Sequence, residues 1–133
     1  MTTPTIQELS TSSFSSPITL VIAGDLAADS RSQLVPVPAW ATRAIVSIGC
    51  TGTGSPIGVI KIIGSAQGAD ATKTHVIATP ATQPTGSAFT QLYVVAADAP
   101  YVGVWWDVTS GGTGAAWTGD AGAGSSPTIT FME

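Results

Sequence analysis

The chain has 133 residues, and Ala, Gly, Ser and Thr fill half of it with 19, 15, 14 and 19 copies. That length suits one domain, and charged residues make up only 9%, against roughly 25% in an ordinary soluble domain. With 44% hydrophobic residues extended disorder is excluded, and no apolar run nears the roughly 18 residues of a membrane helix.

The elements follow in chain order. Residues 1–16 are rich in Thr and Ser, carry Pro4 and few large apolar groups, and read as an extended arm; residues 17–133 read as the folded body. Ile18–Ala23 forms a first strand after Pro17 and stops at Gly24-Asp25. The Ala-rich stretch Gly24–Ser32 is too short for more than a single helical turn. Gln33–Val37 holds Pro36 and reads as an edge segment. Thr42–Gly49 alternates, with Ala44, Val46 and Ile48 on one face. Ile57–Ile63 is apolar on both faces apart from Lys61, as in a central strand or one with a contact on its second face. His75–Ala78 is short. Ala88–Ala96 puts Leu92 and Val94 on one face and Phe89, Gln91 and Tyr93 on the other. Tyr101–Thr109 has the cleanest period of two: Val102, Val104, Trp106 and Val108 face one way, Tyr101, Gly103, Trp105 and Asp107 the other. Ala115–Thr118 follows the Ser110-Gly111-Gly112 turn. Gly119–Pro127 reads as a flexible loop. Thr128–Met132 closes the chain with Ile129 and Phe131 inward. About eight or nine such strands predict an all-β, two-sheet antiparallel sandwich, of which the jelly roll is one form.

Charge limits the partners. The four cations Arg31, Arg43, Lys61 and Lys73 are scattered and the net charge is −4, so there is no basic footprint for nucleic acid. The single cysteine, Cys50, forms no internal disulfide. Met-Thr-Thr-Pro-Thr lacks the basic and apolar parts of a secretory signal, which points to a product made in a cytosol. Twelve charged groups spread over on the order of 6,500 Å² of surface leave about one per 540 Å². Interface cores are depleted in charge, so so sparse a coat favours a surface turned toward other subunits.

Catalytic chemistry finds little support. His75 and Cys50 are single copies, with no nucleophile-elbow serine, and both read as structural: an edge-strand imidazole and a buried thiol. The acids fall mainly at turns, where Asp caps its own backbone. One His and one Cys build no zinc site within a subunit. The expectation is a non-enzyme without metal or cofactor. The aromatic group needs more weighing. Trp40 and Trp106 read as core. Tyr101 and Trp105 share an outer face, where rigid aromatics serve as interface anchors. Together with Trp117 and Asp107 they would equally serve as a platform for sugar rings.

The segments PAWATRAIVSI (38–48), GVIKIIGSAQGAD (58–70) and APYVGVWWDVTSGGTG (99–114) resemble the small β-sandwich virion proteins of tailed bacteriophages. The likeness spans residues 38–118 and rests on short motifs: a strand ending in Gly64-Ser65, and a late Tyr-Val-x-Val strand ending in Thr-Ser-Gly. It implies a capsid decoration (cement) subunit or an accessory part of a tail or fibre, located in the virion and assembled in the host cytoplasm. Such proteins clasp neighbours with extended arms. The implied partners are the major capsid protein or other virion subunits and further copies of the chain, with no nucleic acid or membrane. The interface candidates are then Thr2, Thr3, Pro4, Thr5, Ile6, Leu9 and Phe14 of the arm, with Tyr101 and Trp105. The alternative is a carbohydrate-binding module for host attachment, using Trp105, Trp117, Tyr101 and Asp107.

Overall fold

In the computed structural model the described residues are 14–22, 29–52, 57–68, 74–83, 89–110, 115–122 and 124–133. The predicted arm residues Thr2–Leu9 lie outside them. Among the described residues, ten strands run in chain order: β1 (Ile18–Thr19), β2 (Ser30–Arg31), β3 (Val35–Pro36), β4 (Arg43–Gly52), β5 (Ile57–Ser65), β6 (His75–Ala78), β7 (Phe89–Ala96), β8 (Tyr101–Ser110), β9 (Ala115–Thr118) and β10 (Thr128–Met132). One sheet has the order β1-β10-β4-β7, with β9 also on β4. The other has the order β2-β8-β5-β6, with β3 also on β8. Every pairing is antiparallel.

A strand has two pairing edges, so the strands off each path must share one. β10 takes Arg43–Ser47 of β4 and β9 continues along Gly49–Gly52. Likewise β2 meets Trp105–Trp106 and β3 meets Tyr101–Val102 of β8. Counting β2 and β3 as one broken strand, and setting β9 aside, leaves eight. They pair first with last, second with seventh, third with sixth and fourth with fifth. That nesting is a long antiparallel hairpin rolled on itself, the jelly-roll form of the predicted sandwich.

Period two fills the space between the sheets. Ala44, Val46 and Ile48 of β4, Ile129 and Phe131 of β10, and Ile60, Ile62, Val102, Val104 and Trp106 of the opposite sheet are at most 2% exposed. Trp106 is the largest fully buried side chain among the described residues, and Trp117 packs edge-on against it with centroids 6.0 Å apart. Cys50 lies in the same core, and burial pushes its thiol pKa up. Gly49 has no room for a side chain: an added Cβ would lie 2.5 Å from the Phe89 carbonyl oxygen and 2.9 Å from that of Gly119.

Tyr93 reaches from β7 into this core, and its hydroxyl donates to the Thr82 carbonyl at 2.8 Å. Burial pushes its pKa up to about 12 from 10.0. The folded chain therefore holds this proton more tightly than the unfolded one. The associated stability is complete below pH 10 and is lost as pH rises toward 12. At about 1.4 kcal/mol per unit the loss approaches 3 kcal/mol. Thermal melts at pH 8, 10 and 11 should show the decline, and Tyr93→Phe should flatten it.

Several predicted features change. Trp40, expected in the core, is 41% exposed at a turn. Ser30–Arg31, placed in a possible helical turn, forms β2, because Ser30 and Arg31 pair with Trp106 and Trp105. At the end of the segment read as the arm, Phe14 bridges Met132, and the Ser15 N–H donates to the Phe131 carbonyl at 2.9 Å. The predicted loop after Thr118 is a hydrogen-bonded turn. There the Gly119 N–H donates to Ser125 Oγ at 3.0 Å, and Ser47 Oγ donates to Asp120 at 2.6 Å.

Candidate interaction surface

The two outer faces of the sandwich differ in chemistry. On the β2-β8-β5-β6 sheet, register sets Arg31, Trp105 and Lys61 side by side on three adjacent strands. Both cations lie over the Trp105 ring, Arg31 at 4.4 Å and Lys61 at 4.7 Å from its centroid. They reach it from β2 and β5, the two strands that flank β8. The ring's Nε1–H donates to both oxygens of Asp29 at 3.0 Å. Lys61 also pairs with Asp107 at 2.7 Å, and Arg31 donates to Thr74 Oγ1 at 2.9 Å. Two cations and two anions thus neutralise each other around one indole.

Such a cluster ties strands together and presents little to a partner. Trp105, an expected anchor, has two cations over its ring and its one donor engaged. Asp107, placed by the sequence on this face of the strand, is the Lys61 counter-ion. Cation–π contacts at half-exposed sites contribute about 0.5–1 kcal/mol each, and a partly exposed ion pair up to about 1 kcal/mol. Trp105→Ala should therefore lower stability by about 1–2 kcal/mol in a denaturant titration, leaving a cooperative fold.

Tyr101 shares this face but stands four residues from Trp105, about 14 Å along the strand. Gly103 lies between them, and a Cβ there would meet Leu34 Cδ2 at 3.0 Å. Leu34 and Ile63, which pairs with Gly103, are 6% and 1% exposed. The second face of β5 is thus covered at Ile63. Trp117 is on the other side of the molecule's wall: it pairs with buried Cys50 and packs inward against Phe89 and Trp106. The four residues of the sugar platform are therefore not brought onto one surface. His75 lines a shallow cleft with Ser65 and Asp98, yet no hydrogen bond links the three. No group of three or more His, Cys, Asp or Glu among the described residues is placed to hold a metal.

The outer face of the β1-β10-β4-β7 sheet is the apolar one. Its register rows read Thr130–Ile45–Val94 and Thr128–Ser47–Leu92. Beside them Met132 pairs with Arg43, and Phe14 bridges Met132, so Phe14 joins the same face. Leu92, Val94 and Phe14 are 55%, 56% and 58% exposed. Charge touches this face at two places on β4, two residues to either side of Ile45. Arg43 donates to the Glu133 carbonyl at 3.1 Å, and Asp120 accepts from Ser47. Ile45, Leu92, Val94 and Met132 were not among the predicted interface residues. The signal was available in the alternation of β7, where Leu92 and Val94 oppose buried Tyr93.

Compared with protein-family models, curated proteins and solved structures, the chain matches none.

Proposed function

We propose that this chain is a structural subunit of an assembled particle, docking through the outer face of the β1-β10-β4-β7 sheet, and that the particle is the coat of a tailed-phage head, which it decorates. The observation that carries the docking part is the exposure of Phe14, Leu92 and Val94 around Ile45 in a chain with 9% charged residues. Contiguous exposed apolar side chains on a small body are the mark of a surface meant to be covered. The coat assignment rests on the resemblance over residues 38–118; a jelly roll alone serves viral and lectin domains alike.

The mechanism is mass action. A subunit that binds only the assembled coat raises the free energy needed to remove a coat subunit, in proportion to occupancy. No proton transfer or covalent step is required. A sugar platform centred on Trp105 fits less well, because stacking competes with Arg31 and Lys61, which already lie over the ring.

Density-gradient purification of particles from a lysate of the source culture, followed by mass spectrometry, tests the reading. The chain should sediment with intact heads at a fixed ratio to the coat protein. Its recovery wholly in the slow, soluble fractions would overturn it.

A further inference from the structure

We infer that β7 is a strand-addition edge, and that its occupant is a second copy of this chain, paired antiparallel through its own β7 about a two-fold axis. The inference deepens the structural reading above, and rests on it only in taking the chain to work in multiple copies.

The outermost strands differ in how they are protected. β1, β2 and β3 have two residues each, with Pro17 before β1 and Pro36 in β3, while β6 and β9 have four. The register of β6 on β5 shifts between Ile62 and Ile63. Short strands, prolines and irregularities are how proteins blunt an edge. β7 has none of these devices. It runs eight residues, FTQLYVVA, without Pro, Gly or a charge, and pairs with β4 with no break in register.

Main-chain direction can be followed along it. The Ala97 N–H donates to the Thr42 carbonyl at 3.0 Å, toward β4. Alternation then turns the amides of Val95 and Tyr93 toward β4 and those of Val94 and Leu92 off the edge. A groove of about 270 Å³ runs there, between Gln91–Val95 and Pro80–Thr82. Among the described residues no strand fills it.

Electrostatics admits a second copy as the occupant. A two-fold axis sets every group against its own copy, so an ionised side chain near the axis would face a like charge. Phe89–Ala96 and Pro80–Thr82 contain none. With the axis at Tyr93, Leu92 of one copy lies across from Val94 of the other, which are favourable apolar cross-strand partners. The two sheets become one, and the apolar outer face doubles in extent. Main-chain hydrogen bonds supply the attraction.

The test is the native mass of the full-length chain by sedimentation equilibrium at micromolar concentration, together with amide exchange. The wild-type chain should have twice the mass of one chain. On raising the concentration, exchange at Leu92 and Val94 should slow about tenfold or more, the signature of a newly buried hydrogen bond. Leu92→Lys with Val94→Lys should give a folded monomer, and Ile45→Lys, off the edge, should stay dimeric. A wild-type monomer would overturn the inference, including one whose Leu92 and Val94 amides are already protected, since the edge would then be held within the one chain. A dimer that survives the β7 substitutions, or that Ile45→Lys dissociates, would also overturn it. Particle binding by a monomer would leave the proposed function standing and remove only this edge pairing.

Discussion

Replacing Trp106 with Ala is expected to cost about 3–5 kcal/mol of stability, the usual range for deleting a fully buried Trp. Its indole is 2% exposed and meets Trp117 edge to face. An added Cβ on Gly58 would lie 2.7 Å from the Trp106 ring, so the backbone is already in close contact with it. Well-packed surroundings relax little, and most of the removed volume would persist as a void. Natural domains of this size have about 5–15 kcal/mol in total, so the variant should unfold in far less denaturant and populate unfolded chains near 37 °C. Urea titration followed by tryptophan fluorescence measures the shift. The contrast with Trp105→Ala, expected to lose about 1–2 kcal/mol, is the sharper part of the prediction. The two residues are adjacent in sequence, and only the face of β8 separates their energetics.

The second large effect concerns binding. Ile45 lies at the middle of the apolar outer face, flanked by Thr130 and Val94. Ile45→Lys leaves the core pattern of β4 intact, because Ala44 and Val46 carry it. It places an ammonium at the centre of a contact that the docking account requires to be dry. Central interface positions commonly contribute 2 kcal/mol or more, about 30-fold in affinity, and an unpaired buried charge adds to the cost. Co-sedimentation of the variant with particles should therefore fall by about 30-fold or more, while its melting temperature stays close to that of the parent. Trp105→Ala should show the reverse pattern: lower stability and unchanged retention.

The fold was legible where alternation was strong. Tyr101–Thr109 announces its faces because four large apolar residues occupy every second position, and His75–Ala78, Ala115–Thr118 and Thr128–Met132 were bounded correctly by turn residues on either side. β2 was not legible. Ser30 and Arg31 have no strand-like composition and pair only because the tertiary fold brings them beside Trp105 and Trp106. Trp40 misled through its size alone, since a large indole after Pro-Ala invites a core assignment that its turn position denies.

The site was half visible. Low charge pointed to a covered surface, and the face of β7 that holds Leu92 and Val94 was identified from sequence. Its orientation was not, because an outward apolar row looks in sequence like an inward one. Trp105 looked available for the opposite reason. Arg31 and Lys61 lie 74 and 44 residues before it in the chain, and only the register of β2 and β5 on β8 closes them over its ring.

Hydroxyl-radical footprinting of the chain, free and bound to purified particles, separates the two faces in one measurement. Binding should suppress oxidation of Phe14, Leu92 and Met132 and leave Tyr101 and Trp105 as reactive as in the free chain. Protection of Tyr101 and Trp105, with Phe14, Leu92 and Met132 unchanged, would contradict the assignment of the docking face.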